Sequence, residues 1–138
     1  MKTFIIALLV LGVMMSGIVA YSLYMKDFED SLIKMTDNLS KKINEDDWDN
    51  SYKEYKKLSQ IWEENKKVLA MFNDHGDLDE IELEIVDLNE SIVDKDKQHS
   101  LKAVNNFKVL LKRLAKNESF SIENILKLSH NIIFCHIM

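Results

Sequence analysis

From Thr3 to Met25 the chain carries no charged residue, and 18 of these 23 positions are apolar. As a helix rising 1.5 Å per residue the run is about 34 Å long, against a bilayer hydrocarbon core of about 30 Å. A helix in a soluble core seldom stays uncharged over that length, so the run predicts a membrane-spanning anchor. A cleaved secretory signal begins in the same way, with a base such as Lys2 ahead of apolar residues. The run is longer than the usual signal core, and Ile18-Val19-Ala20 is a poor small-x-small cleavage site. An uncleaved anchor is therefore the expectation.

Orientation rests on the flanks. Lys26, Lys34, Lys41 and Lys42 outnumber Lys2, which by base count alone would put the C-terminal part inside. Those bases are interleaved with Asp27, Glu29, Asp30 and Asp37, and the short flank with Lys2 is that of an export signal. The expected arrangement is single-pass in the cell membrane, N-terminus in the cytoplasm, helical domain extracytoplasmic. Gly12, Ser16 and Ala20 recur every four residues, a small-residue stripe that lets two membrane helices approach and form a homo-oligomer. Such residues are also common in membrane helices that pack against nothing.

Composition narrows the rest. Residues 26–138 hold 17 basic and 23 acidic side chains, a net charge of −6 that excludes nucleic-acid binding driven by clustered bases. The single cysteine, Cys135, excludes an internal disulfide framework and a Cys-based zinc module. Three glycines and no proline exclude Gly-rich phosphate loops and hairpin-rich β folds.

What remains is helical. Phe28, Leu32, Met35, Leu39 and Ile43 step at helical spacing, so the membrane helix is expected to continue to about Asn44. Asp46 or Asp47 then caps a second helix with the stripe Trp48, Tyr52, Tyr55, Trp62 and Leu69, a face wide enough for two neighbours. Gly76 suits the C-terminal cap of that helix, and Asp77 with Glu80 a capping pair for a third. Leu78, Ile81, Ile85, Leu88 and Ile92 form the third stripe; Leu101, Val104, Phe107, Leu111 and Leu114 form the fourth. Asn117 to Ser119 is expected to end helix four, and Ser121 to cap a short fifth.

Laid on itself at an offset of 49, the chain matches Leu39, Ile43, Asp47, Ser51 and Lys53 to Leu88, Ile92, Asp96, Ser100 and Lys102. Each unit is a helix, an acidic turn and a second helix, a pattern that duplication or convergence of two amphipathic hairpins produces. Either origin gives an all-α fold: an N-terminal transmembrane helix, then an antiparallel bundle of two αα-hairpins, plus a short C-terminal helix. The divisions are 1–25 anchor, 26–126 bundle and 127–138 extension.

The anchor, Asp47-Trp48 opening helix two, Trp62 within it, His75 before Asp77, and Ser121-Ile122-Glu123-Asn124-Ile125-Leu126 form a set. Together they resemble a family of short membrane-anchored helical proteins from spore-forming Firmicutes, known only as a domain of unknown function. The resemblance covers about residues 1–126; Lys127 to Met138 departs from it. It implies no activity and carries over no catalytic residue.

Side-chain chemistry points the same way. Asp96-x-x-His99 is the nearest approach to a di-metal Glu-x-x-His pair, but Asp at a helix start is a routine cap. His130, Cys135 and His136 are soft ligands without an implied fourth. Glu45-Asp46-Asp47-Trp48-Asp49 is acidic, yet lacks the glycine and distal glutamate of a calcium loop. No grouping proposes a nucleophile, so no catalytic residue, metal or cofactor is assigned and the chain is read as a non-enzyme. The expected function is an interaction module binding another membrane or envelope protein. The alternative is an extracytoplasmic small-molecule sensor without its own output module, with the helix-two aromatics as the ligand wall. Leu83 points away from its helix's apolar stripe and Val109 is displaced from its own, so the two are the candidate partner-binding residues.

Overall fold

The computed structural model describes the backbone of residues 2–135 and the side chains of residues 3–116. Within these bounds the fold is all-α, with α1 (Lys2–Asn44), α2 (Trp48–Leu69), α3 (His75–Val93) and α4 (Lys97–Cys135). Two units divide the chain, one of Met1–Phe28 with Ala115–Met138 and one of Glu29–Leu114.

In the first unit α1 is long and apolar enough to cross a membrane, and none of its most apolar window is buried. No proline interrupts it, and Gly12 and Gly17 are too few to break a helix of this apolarity. Tyr24 stacks on Phe28 with ring centroids 6.1 Å apart. The expected break at Asn117–Ser119 does not occur. Helix α4 runs through those residues to Cys135, so there is no separate fifth helix. Asn, Glu and Ser each cost a helix only about 0.5 kcal/mol relative to alanine, too little to stop one without glycine or proline.

The second unit is the bundle. The α1–α2 and α3–α4 turns close in the same way. Asp46 N–H donates to Ile43 O (3.1 Å) and Asp47 N–H to Lys42 O (3.0 Å); Lys95 N–H donates to Ile92 O (3.1 Å) and Asp96 N–H to Ser91 O (2.9 Å). These are paired Schellman bonds, with a left-handed residue after each helix: Asp46 at φ 58° and Lys95 at φ 56°. The next residue then caps the following helix. Asp47 accepts from Asn50 N–H (3.4 Å) and Asp96 from His99 N–H (3.0 Å). Lys97 ties the two turns together, donating to Asn44 O (2.7 Å) and to the Asp46 carboxylate (3.0 Å). Lys108 pairs with Asp37, and Lys66 with Glu82, which sets α4 beside α1 and α2 beside α3.

The helix-three start differs from expectation. Helix α2 ends at Leu69, well before Gly76, and Asn73 closes it by donating to Leu69 O through both its backbone and side-chain N–H groups. Gly76 has a negative φ and lies inside α3, where its N–H donates to the Asp74 cap at 2.7 Å. A Cβ there would stand 3.0 Å from that carboxylate, so glycine leaves room for the cap.

The core is dry. Leu32, Leu39, Ile43, Leu58, Trp62, Ile81, Leu88, Phe107 and Leu111 are fully buried, each such side chain contributing about 1.5–3 kcal/mol. Three of the four buried hydroxyls turn back on their own helices, Thr36 to Ile33 O (2.7 Å), Ser51 to Asp47 O (2.8 Å) and Ser91 to Leu88 O (3.1 Å). Trp62 is core as its spacing predicts. Trp48 is only half-buried, because as the first residue of α2 it has no preceding turn to pack beneath.

Candidate functional site

Leu83 is the most exposed large apolar side chain of α3, at 69%, and Val109 that of the described part of α4, at 58%. They come together across the hairpin. Both line one shallow groove of about 340 Å³, with Glu80, Glu84, Asn106 and Leu110. Three cross-helix pairs fix its walls. His99 Nε2 meets the Asp87 carboxylate at 2.9 Å, Asn106 donates to Glu84 Oε1 at 3.3 Å, and Arg113 donates to Asp77 at 2.9 Å. Arg113 also reaches Glu80. That second carboxylate, with Asp77, holds the guanidinium above its ordinary value. Asp77 and Glu80 are thus arms of an Arg113 clamp rather than the capping pair their spacing suggested.

The row through Leu83 is longer than the sequence reading recognised. Asp79, Leu83, Val86 and Glu90 are all exposed on α3 at spacings of four, three and four. On α4 the exposed row is Lys102, Asn105, Val109, Lys112 and Lys116. The signal was available in the same periodicity that picked out Leu83, had it been followed along the outer face as well as the inner one.

A second groove, of about 440 Å³, lies beside the turns and is lined by Trp48, Asp49, Tyr52, Lys53, Ile92, Val93 and Lys95. It contains two of the four aromatics expected to form a wall. Tyr55 and Trp62 are in the core instead. Lys56 Nζ sits 5.4 Å from the Tyr52 ring centroid, covering one of its faces.

Asp96 caps the backbone of His99, while the His99 ring turns to Asp87 on α3, so the two do not converge as ligands. Side chains of His130, Cys135 and His136 lie outside the described residues. On α1, nothing stands within 4 Å of a Cβ built at Gly12, and Ser16 donates to Val13 O at 2.8 Å within its own helix. Ala20 is exposed beside them.

The family model of the domain of unknown function DUF4363 matches residues 19–125. The chain belongs to this family. The match begins inside the apolar run, takes in the whole Glu29–Leu114 bundle and ends one residue short of Leu126. No curated protein and no solved structure matches the chain.

Proposed function

We propose that this DUF4363 protein is a membrane-anchored interaction module that acts by binding rather than catalysis. Its apolar helix holds it in the membrane as a single pass, and its bundle engages another membrane or envelope protein from the extracytoplasmic side. The observation that carries the reading is the Leu83–Val109 groove: apolar side chains left in solvent over a bundle whose interior is already filled. A largely apolar interior, in which three of the four buried hydroxyls bond back to their own helices, leaves little for a buried ligand to recognise, which weighs against the sensor alternative.

A further part of the proposal is that the two hairpins are copies of one unit. Each of the eight buried side chains from Leu32 to Trp62 has a buried counterpart 49 positions on, between Ile81 and Leu111. The two turns share their bonds and their left-handed residue.

Cross-linking and pull-down of the full-length protein from its native membrane tests the module. Leu83→Glu and Val109→Glu should weaken whatever co-purifies while leaving the melting temperature nearly unchanged. Unchanged co-purification would discard the groove. Protease added to intact protoplasts should digest the bundle; full protection until lysis would place the partner in the cytoplasm.

A further inference from the structure

We propose that the outer face of α3 and α4 is the contact between two copies of this chain, related by a two-fold axis running along the helices. The inference deepens the interaction-module reading, on which it rests, by naming the partner.

Charge carries it. Helix α3 holds seven acidic residues from Asp77 to Glu90 and no lysine or arginine, while residues 97–116 of α4 hold six bases and no acid. Within one copy, Arg113, Lys97 and Lys108 are taken by Asp77 and Glu80, Asp46 and Asp37, and Glu82 by Lys66. Four charges around the apolar centre make no close ion pair among the described residues, Asp79 and Glu90 on α3 and Lys102 and Lys112 on α4, although Asp79 acts on Lys66 and Lys112 on Glu29 at longer range. One face thus presents an acidic edge, an apolar middle of Leu83, Val86 and Val109, and a basic edge. Such a face is complementary to itself.

The register decides the axis. The pairs His99–Asp87, Asn106–Glu84 and Arg113–Asp77 hold α3 and α4 antiparallel, with Leu83 level with Val109 and Asp79 level with Lys112. Lys102 lies within about a helical turn of Glu90's level. A two-fold axis along the helices keeps every level and exchanges α3 for α4. Leu83 then meets Val109 of the second copy, Asp79 meets its Lys112, and Glu90 comes within reach of its Lys102, each contact made twice. An axis across the helices would stack α3 on α3, acid on acid, which like-charge repulsion disfavours.

The row from Asp79 to Glu90 spans about 16 Å, so the face buries less than the roughly 1,200 Å² of a stable soluble complex. Confinement in a membrane raises the effective concentration of the second copy and makes so small a face sufficient.

Cysteine cross-linking of the full-length chain in membranes tests this, in a Cys135→Ser background. Leu83→Cys and Val109→Cys copies, carrying different tags and co-expressed, should form a mixed disulfide on mild oxidation. Its yield should exceed that of a Lys57→Cys control on α2 by about tenfold, as for thiols held within disulfide reach rather than meeting by diffusion. Asp79→Lys with Glu90→Lys on both copies should lower that yield, and adding Lys102→Glu with Lys112→Glu should restore it. Leu83→Cys linking mainly to itself would put the axis across the helices and overturn the arrangement. A mixed yield at the control level would overturn self-pairing altogether. If Leu83→Glu still releases another co-purifying protein in that case, the interaction-module reading stands without it; if it releases nothing, both fall.

Discussion

Asp46 and Lys95 occupy the same left-handed backbone conformation, φ 58° and 56°, at turns 49 residues apart in the chain. Each follows a helix and precedes the aspartate that caps the next, so each stands where glycine is the usual choice. A side chain there costs about 1 kcal/mol, less for aspartate, whose short polar group tolerates the region. Lys95→Gly should therefore stabilise the protein by about 1 kcal/mol, raising its melting temperature. Asp46→Gly should gain less, because it also removes the carboxylate that Lys97 holds at 3.0 Å. Thermal melts of the two variants, compared with the parent, check the order.

The two tryptophans separate in the same way. Trp62 is 1% exposed, whereas Trp48 is half-buried and lines the groove beside the turns. Trp62→Ala should cost about 3–5 kcal/mol, the range for a large aromatic removed from a packed core. Trp48→Ala should cost clearly less, since much of its ring never left water. Equal losses in urea unfolding would mean that Trp48 is packed far more tightly than its exposure indicates.

The buried stripes and the first turn are legible in the residues, and the later helix ends are not. Leu32, Leu39, Ile43, Ile81, Leu88 and Leu111 were legible because burial on one face imposes a 3.6-residue period that survives in any order of apolar types. The backbone conformation of the turns was not. Their left-handed residues are Asp46 and Lys95, with no glycine to mark them, and the one glycine nearby, Gly76, lies inside α3 beside its Asp74 cap. The continuation of α4 past Asn117 was missed because small propensity costs were read as a stop signal. At the groove, Leu83 and Val109 were found by phase within each helix. Their meeting depends on the α3–α4 register, which the Arg113, Asn106 and His99 pairs set across helices and no single-helix pattern encodes.

Two carboxyls titrate in opposite senses. Asn50's side chain, donating to Asp47, holds that carboxyl below its ordinary value, helped by the Asn50 backbone N–H and the nearby Lys42 and Lys53. Folded Asp47 thus binds its proton more weakly than the unfolded chain. Its contribution is present above the unfolded value and lost as pH falls through the folded one. Desolvation, then Asp30, pushes Glu29 up against the pull of Lys112. Its contribution is present below the unfolded value and lost as pH rises through the folded one. Asp47→Asn should therefore flatten the acid side of a plot of melting temperature against pH. Glu29→Gln should raise stability at neutral pH, with the gain disappearing in acid. A neutral-pH loss for Glu29→Gln would show that Lys112 outweighs the burial.

The paired serines supply the sharpest contrast, because one chemistry meets two environments. Ser51 and Ser100 are both fully buried four residues after a capping aspartate. Their backbone N–H groups donate alike, to Asp47 O and Asp96 O, each at 2.9 Å. The hydroxyls differ. Ser51 Oγ donates to Asp47 O at 2.8 Å, while Ser100 Oγ has no hydrogen-bond partner among the described residues. Removing a satisfied buried hydroxyl loses about 1 kcal/mol of net hydrogen bonding, partly offset by about 0.5 kcal/mol of helix propensity in alanine's favour. Removing an unsatisfied one relieves a desolvation cost of about 1–3 kcal/mol and keeps the propensity gain. Ser51→Ala should thus be slightly destabilising and Ser100→Ala stabilising, a difference of about 2–4 kcal/mol in urea unfolding. Matching losses at both sites would mean that the Ser100 hydroxyl bonds to Asp96 O as Ser51 does to Asp47 O, and that the two turns are alike to the last hydrogen bond.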